Sequence, residues 1–233
     1  MILWIALFLL VVAISFVLAL RSMRDYQDIP QRKKEEYGLF LIRQPGNFSA
    51  QILDHIGKAM LVDGLIISLE RLFKGSQAAL TIFGPKRMLD QFMESLSLLE
   101  LEDYTEGYSS SEVAVWEMGV RETGHQSVNT VFENISRLGA DEQFFWQLVL
   151  GAKKIKETIV FQTQIRAVVY SKDPLRRKVL VPLFENLQAG SLIKVPKPFS
   201  TEQMMDFYRL RSLGKDSSGP VLDTEAVIRL LKV

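Results

Sequence analysis

The sequence predicts an α+β protein behind one apolar N-terminal helix, and three observations carry that expectation. No charged residue occurs before Arg21. Between Tyr37 and Tyr104, short runs of period two alternate with runs of helical period. From Phe144 onward, two long alternating strands precede a set of capped helices.

Ile2 to Leu20 is apolar apart from Ser15. A helix of that length spans roughly 28 Å, close to the ~30 Å hydrocarbon core of a bilayer. Its 14 Leu, Ile, Val and Phe residues favour insertion by about 4 to 8 kcal/mol. A positive n-region is missing, which argues for a retained anchor (residues 1–20), with cleavage after Val17-Leu18-Ala19 as the alternative. Arg21, Arg24, Arg32, Lys33 and Lys34 follow the span. The positive-inside rule then puts the C-terminal region of a single-pass protein in the cytoplasm. The absence of cysteine suits a reducing compartment and excludes a disulfide framework.

Residues 21–37 read as a juxtamembrane linker. Leu39 to Arg43 then forms a strand closed by Pro45-Gly46, and Asn47 is the expected N-cap of a helix carrying Ile52, Ile56, Ala59 and Met60 on one side. Gly64 stops it. Leu65 to Phe73 is a strand, Lys74-Gly75-Ser76 a turn and Ala78 to Phe83 its hairpin partner. Pro85 opens a second helix, with Leu89, Phe92, Met93 and Leu96 as its stripe, and Leu99 to Tyr104 returns as a strand. That order, β-α-β-β-α-β, is a ferredoxin-like module over residues 38–107.

A second antiparallel α+β module is expected over residues 112–233. Val113 to Val120 is a strand, 121–127 a loop, and Asn129 to Leu138 a short helix. Phe144, Trp146, Leu148 and Leu150 alternate with Phe145, Gln147 and Val149; Ile159 to Val169 does the same with Gln162, Gln164 and Arg166. The pair reads as a hairpin with one buried and one wet face, joined by the loop Gly151 to Lys156. Asp173-Pro174 opens a helix that is kinked or split at Pro182 and closed by Gly190. Ser200 and Gln203 have capping-box spacing, and Asp223 with Thr224 starts a last helix.

Chemistry-bearing motifs are few. His55 and His125 are isolated and make no metal cluster, Gly107 to Ser111 lacks the closing glycine of a nucleophile elbow, and Gly214-Lys215 is not part of a P-loop. No catalytic, cofactor or metal residue is assigned. Charge is uneven: residues 21–150 carry 13 Lys/Arg against 19 Asp/Glu, and residues 151–233 carry 15 against 8. The halves either face different partners, attract each other, or alternate along a homo-oligomer. Candidate interface residues are the acidic Glu100 and Glu102, the basic Lys153, Lys154 and Lys156, Arg166 within its strand, and the group Arg176, Arg177 and Lys178. Basic clusters neutralise phosphates, so nucleic-acid contact is carried as a less favoured reading.

Three stretches in order carry a resemblance: Tyr37 to Arg43; Glu142 to Leu150 followed by Gln164 to Tyr170; and Phe207 to Gly214 before Val221-Leu222-Asp223-Thr224-Glu225. Together they resemble the membrane-proximal N-terminal region of bacterial type IV secretion and conjugation ATPases of the HerA/TraG-like class. The resemblance covers about residues 37–230, and no motor motif follows it. It implies a non-enzymatic, membrane-anchored scaffold or assembly subunit working with a P-loop ATPase supplied by another chain. The alternative is a membrane-tethered nucleic-acid-binding protein that uses the basic C-terminal half.

Overall fold

The computed structural model describes residues 35–120, 132, 134–185, 192–196, 199–214 and 219–231, together with Val12 and Ser15. Strands β1 (Tyr37–Ile42), β2 (Ile66–Lys74), β3 (Gln77–Pro85), β4 (Leu98–Leu101) and β5 (Val113–Val120) come first. They are followed by the long hairpin β6 (Gln143–Ile155) and β7 (Thr158–Tyr170), then β8 (Leu192–Val195) and β9 (Val221–Asp223). The helices are α1 (Ala50–Asp63), α2 (Lys86–Leu89), α3 (Met93–Leu96), α4 (Pro174–Glu185), α5 (Thr201–Arg209) and α6 (Thr224–Leu231).

All described strands join one antiparallel sheet in the order β4-β1-β3-β2-β6-β7-β5-β8, and β9 adds to β7. This corrects the expected fold class of a transmembrane helix, a ferredoxin-like module and a separate α+β module. The elements of residues 37–101 do run strand, helix, strand, strand, helical turns, strand, but β2 is no module edge. It pairs along its length with β6, from Ile66 opposite Gly151 to Lys74 opposite Gln143. An unpaired row of backbone N–H and C=O groups is a liability, and here the second half of the chain satisfies it.

The single-pass membrane placement is corrected as well. No helix among the described residues is long and apolar enough to cross a membrane; α1, with 14 residues, extends only about 21 Å. The expected span, residues 2–20, lies outside the described residues apart from Val12 and Ser15, as do most of the linker, the loop at 121–127 and Gly190; of the helix expected at 129–138, the described part holds a 3-10 turn at Asn134–Arg137.

Local signals explain most boundaries. Ser49, not Asn47, caps α1: its Oγ accepts from the Ile52 amide. Gly64 ends the helix at φ +62°, a conformation glycine adopts without steric cost. Pro85 ends β3 and precedes α2. The helix expected after it breaks into α2, a 3-10 turn (Asp90–Phe92) and α3. The basic segment after Gly151 is strand as far as Ile155.

One face of the sheet packs Phe144, Trp146, Leu148, Phe161 and Ile165 against Leu53, Ile56 and Met60 of α1, Leu180 and Phe184 of α4, and Val227 and Leu230 of α6. Phe144 and Phe184 stack at 4.2 Å between centroids. α1 lies so close that a Cβ on Gly57 would sit 2.9 Å from Phe161. The opposite face was expected to be wet, yet Phe145, Gln147, Val149, Arg166 and Val168 are all buried. Met205 and Tyr208 of α5 cover Phe145 and Val168, so alternating polarity here marks a polar layer rather than solvent.

Candidate functional site

Five of the buried polar side chains stand on one rung of that second face. Thr81, Glu70, Gln147, Arg166 and Glu117 lie directly opposite one another on β3, β2, β6, β7 and β5. Paired residues share a face of the pleat, so the five side chains form a line across five strands. All are buried, Glu70 and Gln147 completely.

The segment following α5 closes over this line. α5 starts at a capping box, with Ser200 Oγ accepting from the Gln203 amide and the Gln203 side chain accepting from the Ser200 amide. It ends in a Schellman turn: the Arg211 amide donates to the Tyr208 carbonyl and the Ser212 amide to that of Phe207. The position that turn holds left-handed is usually glycine, but here it is Arg211 at φ +47°. Such a conformation costs a non-glycine residue about 1–2 kcal/mol, and what offsets it is the placement of the guanidinium.

Arg211 Nε donates to Glu70 Oε1 at 2.8 Å and Nη1 donates to Asp103 Oδ2 at 2.6 Å. Its guanidinium lies 4.3 Å from the Phe83 ring centre, a favourable cation–π distance. Glu70 also accepts from Ser68 Oγ at 2.9 Å, Tyr104 Oη at 2.9 Å and Gln147 Nε2 at 3.0 Å. A carboxylate offers about four lone-pair sites, so Glu70 is saturated. Tyr104 and Tyr208 share a short hydroxyl–hydroxyl bond. Arg166 continues the network, donating to Gln147 Oε1 at 3.1 Å and the Ser212 carbonyl at 2.7 Å, with Glu117 3.5 Å from its Nε. The Tyr208 carbonyl accepts from Gln147 and the Gly214 amide donates to Gln164.

Burial and neighbouring charge shape the protonation of this cluster. Burial works against the Arg211 charge, but Glu70 and Asp103 overcome it and hold the guanidinium above its ordinary value. Burial likewise opposes ionisation of Asp103, and hydrogen bonds from Arg211 and Thr105 bring its carboxyl below the usual range. Burial, then the Glu70 carboxylate, pushes both tyrosine hydroxyls well above 10, so they act as neutral donors. Burial pulls Arg166 down to about 10, against the pull of Glu117. Chemically, the arrangement clamps residues 208–214 onto four strands; its acceptors are occupied and its tyrosines stay protonated.

The predicted interface residues do not assemble into one patch. Glu100 and Glu102 are exposed, and Glu100 pairs with Lys86 at 2.8 Å. Lys153 bonds Gln162 and Lys154 pairs with Glu157 at the tip of the β6–β7 hairpin, where Lys156 occupies the turn at φ +55°. Arg166 is 1% exposed and belongs to the rung. Arg176 grips Glu142 at 2.7 Å and the Arg137 carbonyl, and Arg177 donates to the Ser171 and Ser111 carbonyls. Lys178 alone of that group faces solvent on α4. His55 is exposed with Nδ1 2.9 Å from the Gln51 carbonyl; His125 lies outside the described residues. Among the described residues no group of three His, Cys, Asp or Glu side chains is placed to hold a metal.

The acidic and basic halves meet each other through Glu70, Asp103, Glu117 and Glu142, which reach Arg211, Arg166 and Arg176. Neither Glu70 nor Arg211 was singled out from sequence. The available signal was a lone glutamate inside the apolar strand Leu65 to Phe73. Comparison with protein-family models and with curated proteins gives no match.

Proposed function

We propose that this chain is a non-enzymatic assembly subunit, a scaffold that docks a partner protein through the outward side of α4. The observation that carries the reading is the split character of this helix. Leu180 and Phe184 face the core, while Leu175 and Val179 are 71% and 56% exposed. Lys172 and Lys178 stand beside them, both exposed. Apolar side chains one helical turn apart, rimmed by cations, suit a partner surface with an apolar centre and carboxylates at its edge. The saturation of Glu70 supports the same reading, because the polar chemistry of the sheet is spent on holding the chain together. The resemblance of residues 37–230 to the accessory region of transfer ATPases makes a P-loop ATPase on another chain the first partner to seek.

Co-purification with the tagged chain from its native cells tests this. Recovery of a P-loop ATPase by the wild-type chain, lost in the Leu175→Asp, Val179→Asp, Lys178→Glu variant at unchanged melting temperature, is the expected result. Equal recovery by that variant removes α4 from the reading. Recovery of nuclease-sensitive material without protein puts nucleic-acid binding in its place. Reversing Arg176 or Arg177 is a poor substitute, because both hold loops of this chain.

A further inference from the structure

On the apolar face of the sheet one cation has no ion pair among the described residues. Arg71 extends from β2 on the side of Leu69 and Phe73, its Nε buried without a hydrogen-bond partner. Arg166, Arg176 and Arg211 each meet a carboxylate; the only contact of the Arg71 guanidinium given by the described residues is the Phe73 ring, 5.5 Å from centre to cation. Burial pulls this guanidinium below its ordinary value. Leaving a buried donor unmade costs about 1–3 kcal/mol, more for a charged group.

Arg71 lines a pocket of about 510 Å³, within the range that holds small molecules. Phe48, Leu80, Ile228 and Leu231 give it apolar walls. Ala50 and Gln51, in the first turn of α1, also line it. Ser49 takes the Ile52 amide, while amides in a first turn have no intrahelical acceptor. The positive end of the helix and the guanidinium therefore favour the same sign of charge. Glu225 also lines the pocket and is exposed; its carboxylate repels anions, and more strongly the greater their charge.

We propose that this pocket binds a monocarboxylate with an apolar tail, its carboxylate on Arg71 and its tail between Leu80 and Ile228. A guanidinium fork matches a planar carboxylate in two parallel hydrogen bonds, which supplies the missing partner of Nε. The inference is independent of α4 and of the scaffold reading.

Calorimetric titration of the full chain with octanoate, octanol and octyl phosphate tests it, with the Arg71 Nε–H resonance followed in parallel. Octanoate is expected to bind saturably and shift that resonance, while octanol, lacking charge, binds at least tenfold more weakly. Arg71→Gln should lose octanoate at least tenfold while melting at or above the wild-type temperature, because a half-buried charge with no ion-pair partner among the described residues has been removed. Gln51→Glu, which keeps a residue favoured in a first helical turn, should weaken octanoate several-fold by repulsion. No saturable binding at millimolar octanoate, equal binding by Arg71→Gln, or tighter binding of octyl phosphate would each overturn the assignment.

Discussion

On one face of the sheet, Phe144, Trp146 and Leu148 meet α1, α4 and α6 with no ion pair between them; on the other, Glu70, Gln147, Arg166 and Glu117 meet α5 and the turn after it through charged hydrogen bonds. The apolar face is held by burial, which is non-directional and scales with area. It brings helices down but leaves their exact seating to shape. The polar face is directional. Glu70 and Arg211 are 141 residues apart in sequence, and their bond exists only when the turn at residues 208–214 has reached one place. Burying paired charges adds little net stability, since desolvation offsets attraction. What the polar face contributes is position.

The largest expected effect comes from breaking that position. Glu70→Ala leaves Arg211 facing one carboxylate instead of two and strips an acceptor from Ser68, Tyr104 and Gln147. Losing one partner of a buried pair costs about 3–5 kcal/mol, read as a lower urea midpoint. Arg211→Ala should cost nearly as much. The double variant should lose less than the sum, with a coupling of about 0.5–3 kcal/mol. Leu148→Ala, fully buried on the apolar face, should cost about 2–5 kcal/mol and add to Arg211→Ala without coupling. Additivity in both pairs would erase the distinction between the faces.

That distinction also governs what could be read from sequence. Strands β2, β3 and β5 to β7, α1, the capping box of α5 and the helix start at Asp223 follow from local patterns: period two, period 3.6, Ser-Thr-Glu-Gln spacing, Gly64. The seam between β2 and β6 does not, because nothing in Ile66–Lys74 names a partner some 75 residues away. The alternation of Phe145, Gln147 and Val149 with their neighbours was legible, but its meaning was not. Glutamine and arginine at every second position describe a wet face and a covered polar layer equally well. Only the arrival of Tyr208, Arg211 and Ser212 decides between them. Arg211 gave no local warning, since it takes a left-handed position that sequence rules reserve for glycine.

Acid should separate the faces by a smaller margin. The Asp103 carboxyl sits below its ordinary value in the fold, burial opposing and Arg211 overcoming. A group depressed in the folded state stabilises above its unfolded value of 3.8, and that stability is lost as pH falls through the folded value. Glu142, held down by Arg176 and the Gly139 amide against burial, acts in the same sense. Melting temperature should therefore drop below about pH 4, and the drop should be shallower in Arg211→Ala. Tyr104 and Tyr208 work at the other end. Raised well above 10 by burial, they stabilise below the unfolded value and lose that contribution as pH climbs past about 10. Tyr104→Phe, Tyr208→Phe should flatten the alkaline limb alone. An acid limb unchanged in Arg211→Ala would show that the clamp carries no proton linkage.

The smallest expected effect tests whether the polar face can loosen while the apolar face stays shut. Ser200 begins α5 by capping Gln203, and the helix it starts carries Tyr208 and the turn to Arg211. Ser200→Ala removes one amide's acceptor at an exposed position, for about 1 kcal/mol. Hydrogen exchange should speed up in α5 and the turn after it, and leave α1 and α6 at their original protection. The reason is geometric: α5 touches the sheet only on the side of Phe145 and Val168, and α1 and α6 only on the side of Trp146 and Phe161. Uniform acceleration in all three helices would mean that the two faces open together, and that the rung positions the turn without giving it a local equilibrium of its own.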